Sequence, residues 1–363
     1  MLYVGRAGND LPLPAGEGWG EGRLSRAFLW FLIVFGIVLY ALRALTEPMW
    51  ANDFIAIWGL KGKTIFGAVG FPERLMGLQF GHPEYPLGLP LLYAGIAFLT
   101  GRWDDHAMAL LFPVLQVATL AVLVGWLRRR GASSGVACMA AAIVACFEPL
   151  YSGFLTGMAE VPLSFGLLLF GTALADALEQ SYGGAMRRLA FASALIAATK
   201  NEGLFLAVAG CAIALLAGKG VRRRIVLAAL PAALLVRALH IPWRGNLPLA
   251  DFDFSLWSSE RVWDSLLAAG RVLGPAAWAG VALAALLIAL GGRSAAGDCV
   301  LALCASALAA YLVVPAFAIR GPEWLVQTTF LRTTAALVPL VAAGIAVRFR
   351  EVGPPSPPHA RKG

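Results

Sequence analysis

The chain has 363 residues, of which 59% are hydrophobic and 14% are charged. A soluble domain carries about 25% charged residues, so this composition excludes a water-soluble globular enzyme. The formal net charge is +8, but the basic residues stand in short clusters between apolar runs, which is typical of membrane topology signals and not of nucleic-acid binding. We therefore expect an all-α polytopic membrane protein that contacts membrane lipids and binds no nucleic acid.

Polar sequence rich in Gly and Pro stands at both ends of the chain. We expect residues 1–26 to be a disordered cytoplasmic lead and residues 350–363 to be a disordered cytoplasmic tail, because neither can bury enough apolar surface to order itself. Residues 27–349 are predicted to form one transmembrane domain. Its largest non-membrane segment is the first outer loop, 46–105.

Apolar runs between these ends predict ten membrane-embedded helices. They are expected at 27–45, 106–127, 133–151, 162–179, 189–199, 202–217, 225–240, 272–290, 298–316 and 333–349. The run 88–99 is too short to span a bilayer and is bounded by prolines, so we expect a short helix lying at the outer membrane interface.

Lys and Arg residues set the orientation of such a bundle. Under this assignment Arg128–Arg130, Arg187, Arg188 and Arg222–Arg224 share one side with both termini. We interpret the two arginine triplets as solvated topology anchors. The excess of basic residues marks that side as cytoplasmic, so we expect loop 46–105 to face the opposite side of the membrane.

The segment 189–217 is long enough for one helix, but one helix would place Lys200 and Glu202 in the middle of the bilayer. We predict instead two half-length helices that meet at 199–203, because interrupted helices at membrane depth usually line a polar cavity. Asn201 and Glu202 could cap the second helix with Lys200 beside them, which makes the break a candidate phosphate site. A local Lys200–Glu202 ion pair is the alternative.

Asp53, Ile57 and Lys61 recur at helical spacing in the first outer loop. This spacing predicts an amphipathic helix over 46–63 with these residues on one face. A carboxylate and an amine on that face could act as proton acceptor and anion ligand. The alternative is an interfacial helix whose charges face water and whose Trp58 lies among lipid headgroups.

Three prolines between His82 and Pro90 predict an extended, rigid turn before the short helix. His82 and Tyr85 in this turn could contact a sugar or a phosphate. A structural lid with solvated side chains is the alternative.

Two further charged residues stand near predicted helix starts on the outer side. Glu160 precedes Pro162, so its carboxylate would favour the helix dipole, although an acid in the membrane is also a functional candidate. Arg332 stands at the predicted start of the last helix, where a cation is unfavourable and a bound anion would explain it. Snorkelling of Arg332 to lipid phosphates is the alternative.

The cysteines and histidines show no metal-ligand spacing. All five cysteines lie inside apolar runs, so we expect reduced core thiols. The four histidines are dispersed, so a structural zinc site is not expected.

Five motifs occur in order over roughly residues 30–345. They are Asn52–Lys61, His82–Pro90, Gly157–Leu163, Thr199–Gly203 and Arg332 followed by Pro339. Together they resemble motifs of the bacterial GT-C membrane glycosyltransferases, the group related to dolichyl-phosphate-mannose–protein mannosyltransferases and aminoarabinose transferases.

The resemblance implies a GT-C-like bundle, a polyprenyl-phosphate-linked sugar as donor, and inverting transfer to a periplasmic acceptor such as a glycolipid, lipopolysaccharide or protein. It also implies that Asp53 is the catalytic base and that Glu160, where relatives more often have Asp, positions substrate or base. Both acids would then face each other across one cavity open to the outside.

Transfer through an oxocarbenium-like state also needs cations that stabilise the departing phosphate. Lys61, Lys200 and Arg332 are the candidates for this role. The candidate substrate contacts are Trp58, His82, Tyr85, Asn201 and Glu202. Some GT-C enzymes use a divalent cation, here Mg or Mn if present, but its ligands are not assigned from this sequence.

Two other classes of function remain open at this point. A secondary transporter or lipid flippase would explain the broken helix and the buried charges, but not the acid- and Trp-bearing first loop. A non-catalytic assembly partner of another membrane enzyme would not explain Asp53 and Glu160, since neither has an obvious structural requirement.

Overall fold

The computed structural model describes residues 21–69, 82, 85–179, 184–217, 222–244 and 253–349. The helices are α1 (Glu21–Thr46), α2 (Gly59–Gly67), α3 (Gly88–Thr100), α4 (Asp105–Ala109), α5 (Leu111–Arg129), α6 (Ser134–Ala145), α7 (Glu160–Leu178), α8 (Ala185–Thr199), α9 (Asn201–Ala217), α10 (Arg222–Arg244), α11 (Ser259–Val272), α12 (Pro275–Leu290), α13 (Ala295–Val313), α14 (Pro322–Ala335) and α15 (Val338–Ala346). Short π- or 3₁₀-helical turns lie at Phe54–Trp58, Gly153–Leu155, Phe254–Leu256, Val314–Phe317 and Val347–Phe349. These ranges contain no β-strand, which confirms the all-α prediction for the described part of the chain.

Four helical segments are long and apolar enough to cross a membrane: Ser25–Thr46, Asp105–Arg129, Glu160–Leu178 and Ala295–Phe317. Two bent pairs of helices raise the number to six if each pair is one span. The pair α11 and α12 bends by 100°, and the pair α14 and α15 bends by 44°. The helical membrane-protein class is therefore supported, with four to six candidate spans in the described ranges. The predicted number of ten membrane-embedded helices is not confirmed and stays a prediction. The GT-C arrangement of the bundle stays a prediction.

Several helix boundaries differ from the prediction. α1 begins at Glu21, so the last six residues of the expected disordered lead are helical. Residues 1–20 and 350–363 lie outside the described residues. α6 ends at Ala145 and not at 151, because the residue before Pro149 is disfavoured in a helix. The short helix predicted at 88–99 is found as α3.

α7 is the central helix of the bundle and is almost completely buried. It packs against α5, α8, α13 and α15. Small residues permit this close packing: a Cβ added at Gly171 would lie 2.5 Å from a methyl carbon of Leu340. Each end of α7 carries a buried acid, Glu160 at its start and Asp176 in its last turn, and each acid is paired with cations.

The ion cluster around Asp176 corrects one interpretation of the arginine triplets. Arg130 Nη2 lies 2.5 Å and Arg188 Nη2 lies 3.1 Å from the Asp176 carboxylate, and Trp126 Nε1 donates to it over 3.0 Å. The Arg130 side chain is only 6% exposed. Arg130 is therefore not a solvated anchor, because a buried aspartate needs cationic and hydrogen-bonding partners.

The predicted break between two half-length helices is confirmed. α8 ends at Thr199, Lys200 has extended backbone (φ −152°, ψ 158°), and α9 begins at Asn201. Gly203 allows α9 to start directly against the end of α8, since a Cβ there would lie 1.9 Å from the carbonyl oxygen of Ile196.

Candidate functional site

A cavity of about 650 Å³ opens between the first outer loop, the segment before α7 and the helix α14. Its wall includes Asp53, His82, Tyr85, Trp324 and Arg332. The first two, Tyr85 and Arg332 are site residues predicted from the sequence. Trp324 was not among the predicted site residues.

A π-helical turn positions Asp53 at the cavity. The chain leaves α1 at Thr46, becomes helical again at residue 52, and forms the π-turn Phe54–Trp58. Gly59 N–H donates to the Phe54 carbonyl in the i→i+5 pattern of this turn. The predicted single helix over 46–63 is therefore wrong at its start and in its winding.

The π-turn also separates Asp53 from Lys61. Because it widens one helical turn, positions eight residues apart no longer share a face. Asp53 and Ile57 line the cavity, whereas Lys61 does not and its side chain is buried. The Lys61 ammonium donates to the carbonyl oxygens of His82, over 2.6 Å, and Tyr85, over 3.2 Å. This geometry does not support Lys61 as a direct phosphate ligand, because its ammonium is engaged by the backbone of His82 and Tyr85.

His82, Tyr85 and Trp58 form an aromatic stack beside the cavity. The ring centroids of His82 and Tyr85 lie 5.1 Å apart, and those of Tyr85 and Trp58 lie 5.3 Å apart. His82 and Tyr85 line the cavity, but Trp58 is 1% exposed and supports Tyr85 from behind. This burial does not support direct substrate contact by Trp58, whose ring packs against Tyr85. Desolvation raises the pKa of the Tyr85 hydroxyl well above its ordinary value, so that hydroxyl stays a hydrogen-bond donor at neutral pH.

Arg332 pairs with Asp53 in the cavity wall. Arg332 Nη1 donates to Asp53 Oδ2 over 2.6 Å. Arg332 lies in the last turn of α14 and not at a helix start, so the helix dipole stabilises its charge. The dipole argument for a bound anion is therefore wrong, and carboxylates account for the position of this guanidinium.

Glu160 lies behind this pair and is 1% exposed. Its Oε1 is 3.4 Å from Arg332 Nε and 3.2 Å from Lys200 Nζ. Glu160 is not among the residues that line the cavity. The expectation that Asp53 and Glu160 face each other across one cavity is therefore wrong: they contact the same guanidinium, and only Asp53 borders the open space.

Lys200 links Glu160 to the helix break. Its Nζ lies 3.2 Å from Glu160 Oε1 and 3.0 Å from Glu202 Oε1, so the local Lys200–Glu202 pair exists within a larger network. Neither residue lines the cavity, and the 4% exposure of Lys200 leaves its ammonium little access to a ligand. This geometry does not support Lys200 as a direct phosphate ligand or Glu202 as a direct substrate contact.

Asn201 follows Lys200 at the start of α9. Its Oδ1 is buried without a hydrogen-bond partner among the described residues. Asn201 does not line the cavity, so its predicted direct substrate contact is not supported either.

The charged side chains form one alternating series that runs inward from the cavity. Its order is Asp53, Arg332, Glu160, Lys200 and Glu202. The series has three carboxylates and two cations, so its formal charge is −1. A buried series of this kind is stable only when every charge has a close partner, which explains why the two inner acids contact Lys200.

The sequence prediction missed the cavity-lining residues of α14 that precede Arg332. Trp324, Gln327, Thr328 and Leu331 all line the cavity with Arg332. Gln327, Thr328, Leu331 and Arg332 follow Trp324 by three, four, seven and eight residues. This spacing is typical of one helix face. This signal was present in the sequence, but it is informative only when the helix is known to begin at Pro322.

The described residues contain no group of three or more His, Cys, Asp or Glu side chains arranged to hold a metal ion. The acids of the site do not fit a divalent cation, since Arg332 and Lys200 separate them. Four of the five cysteines are buried, but Cys146 is exposed on the bundle surface, which corrects its expected place in the core.

Comparison with protein-family models and with curated proteins finds no match to this chain.

Proposed function

We propose that this chain is an integral membrane glycosyltransferase of the bacterial inner membrane. In this proposal it transfers a sugar from a polyprenyl-phosphate donor to a periplasmic acceptor with inversion, and Asp53 is the general base. The observation that carries the proposal is the Asp53 carboxylate in the wall of an open cavity, held by Arg332 over 2.6 Å. The resemblance of the five sequence motifs to GT-C enzymes supports the reaction class.

The chemistry needs a base on one face of the sugar and a cation that reaches the leaving phosphate on the opposite face. An acceptor hydroxyl oxygen attacks the anomeric carbon, and its proton passes to a carboxylate oxygen of Asp53. The bond between the anomeric carbon and the phosphate oxygen breaks, and the electron pair leaves with the polyprenyl phosphate. Positive charge on the sugar and negative charge on the leaving oxygen develop together, so a guanidinium that reaches the leaving oxygen, across the sugar from the base, stabilises the departing group.

Arg332 is suited to this second role because one side of it is anchored inside the protein. Its Nε faces the buried Glu160 over 3.4 Å, while Nη1 reaches Asp53 at the cavity. A donor phosphate entering the cavity would compete with Asp53 for the Nη1 hydrogen bond. That exchange would place the cation on the phosphate and free the carboxylate oxygen for the acceptor proton.

The remaining predicted residues take two kinds of role in this proposal. His82 and Tyr85 border the cavity and would contact the substrates. Glu160 and Lys200 would position Arg332, and Lys61 would hold the turn that carries His82. No step uses a metal ion, because the acids do not fit one.

The test is a transfer assay with purified protein in nanodiscs. The donor would be a mixed pool of polyprenyl-phosphate sugars, and the acceptors would be periplasmic glycans and glycolipids. Asp53→Asn should lower the transfer rate by about 10²–10⁴-fold, the usual contribution of a general base. Glu148→Gln is the matched control, since Glu148 is 62% exposed, pairs with Arg43 and does not line the cavity.

Equal transfer by wild type and Asp53→Asn would remove Asp53 as the base. A wild-type protein that transfers no sugar from any donor, but moves lipid-linked sugar across a vesicle membrane, would support the transporter or flippase class.

A further inference from the structure

A second cavity adjoins the first at the start of α14. It has a volume of about 710 Å³ and lies between α11 and the first turns of α14. Trp324 and Gln327 line both cavities, so the two spaces meet at this pair of side chains. The charged residues in the wall of the second cavity are Asp264, Arg271, Arg320 and Glu323.

The charges of the second cavity balance. Arg271 Nη1 lies 3.4 Å from Glu323 Oε1, and Arg320 and Asp264 contribute one charge of each sign. A cavity built for a polyanion would carry an excess of cations. This wall offers planar donors and acceptors of both signs, which suits a ligand rich in neutral hydroxyl groups.

Trp324 supplies an apolar platform within this polar wall. The guanidinium carbon of Arg320 lies 4.8 Å from the centre of the Trp324 ring, which is a cation–π contact. One face of the ring is thereby covered, while the residue remains 38% exposed. Sugar rings bind in this way to an aromatic side chain surrounded by carboxylate, amide and guanidinium groups, because their C–H faces are apolar and their edges are polar.

We propose that the second cavity binds an oligosaccharide and that, on the proposed function, this oligosaccharide is the acceptor. One face of α14 connects the two cavities and leads from Trp324 to Arg332, eight residues later. At 1.5 Å per residue this distance is about 12 Å, which is longer than one pyranose ring. The acceptor is therefore a chain of at least two sugars. The sugar that carries the reacting hydroxyl lies near Asp53, and another sugar of the chain lies at Trp324.

The first experiment measures binding without any transfer. Purified protein in nanodiscs would be titrated with core oligosaccharides released from lipopolysaccharide by mild acid, and with glucose as the monosaccharide probe. We expect oligosaccharide binding in wild type, at least tenfold weaker binding in Trp324→Ala, and recovery in Trp324→Phe, which keeps an aromatic ring. Trp30→Ala is the matched control, because Trp30 is an exposed tryptophan of α1 that lines neither cavity.

The second experiment measures transfer to the same oligosaccharides. Trp324→Ala should raise the acceptor KM at least tenfold, and by a larger factor than the donor KM, because Trp324 lines both cavities. Equal binding of oligosaccharide by Trp324→Ala and wild type, or binding no tighter than that of glucose, would overturn the sugar site. Trp324-dependent binding without transfer from any donor would keep the sugar site and overturn the proposed function.

Discussion

Asp53 and Arg332 are 279 residues apart in the chain and form a 2.6 Å ion pair. One belongs to the loop after the first helix and the other to the last bent pair of helices. This contact joins the N-terminal and C-terminal parts of the described chain at the wall of the cavity. Because Arg332 also contacts Glu160 at the start of α7, one guanidinium sets the relative positions of three separate elements.

Substitution of Arg332 should separate its structural role from its charge. Arg332→Leu removes the cation that pairs with Asp53 and one of the two cations that pair with Glu160. Loss of a hydrogen bond to a charged group costs about 1.5–3 kcal/mol. Arg332→Lys retains the charge but cannot contact two carboxylates with separate nitrogens of one planar group. We expect the midpoint of thermal unfolding in detergent to be lower for Arg332→Leu than for Arg332→Lys. Both variants should lose sugar transfer.

Arg271→Leu serves as the control for loss of an arginine, because its pair with Glu323 is largely exposed. A thermal midpoint of Arg332→Leu equal to that of the control would show that the Asp53–Arg332 contact does not hold the loop.

The Glu160–Lys200 pair should behave as one unit. Lys200→Met leaves Glu160 with Arg332 alone and leaves Glu202 unpaired in the network. Removing one partner of a buried ion pair typically costs about 3–5 kcal/mol. The double variant Glu160→Gln/Lys200→Met should regain part of this stability, which a double-mutant cycle of unfolding free energies in detergent measures. Strictly additive single effects would contradict the coupling.

The helix break illustrates a feature that could be predicted from sequence. Lys200 and Glu202 cannot both be placed at mid-bilayer without a large cost, and this local fact alone implies the interruption found between α8 and α9. The partner of Lys200 could not be predicted in the same way. Glu160 lies 40 residues earlier, and only the packing of α7 against α8 brings the two charges together.

Lys61 and Arg332 show two different reasons for failure. The spacing of Lys61 from Asp53 assumes an α-helix, and one π-turn cancels the shared face. Nothing in the local composition marks that turn. For Arg332 the sequence carries a usable signal, because Gly321 and Pro322 are a typical helix start. The apolar run after residue 333 is a second pattern, and it indicates a later start. The first error comes from tertiary packing and the second from the choice between two local patterns.

Labelling of single cysteines tests the predicted orientation. In a Cys146→Ser background, which removes the exposed native thiol, Arg102→Cys should react with a membrane-impermeant maleimide from the periplasmic side. Arg187→Cys should react only after the inner membrane is opened, because positively charged loops stay in the cytoplasm. Both arginines are exposed, so neither reaction is limited by burial. The opposite pattern would invert the bundle and remove the periplasmic cavity.

Gly203 should be the most sensitive glycine of the helix break. Its added Cβ would lie 1.9 Å from the Ile196 carbonyl oxygen and 2.9 Å from the Ala197 nitrogen, and backbone atoms cannot move aside as a flexible side chain does. Gly203→Ala must therefore push α9 away from α8. This movement would shift Lys200 relative to Glu160, so we expect a loss of thermal stability together with a loss of transfer activity.

Gly95→Ala is the matched control for Gly203→Ala. Gly95 lies inside α3, and nothing stands within 4 Å of its added Cβ. Alanine in place of glycine within a helix gains about 0.5–1 kcal/mol, so this variant should unfold at the same temperature as wild type or higher. Thermal unfolding in detergent compares the two substitutions directly. A stable Gly203→Ala protein would mean that α8 and α9 do not approach as closely as the 1.9 Å contact requires, and the network joining Lys200 to Glu160 would lose its structural basis.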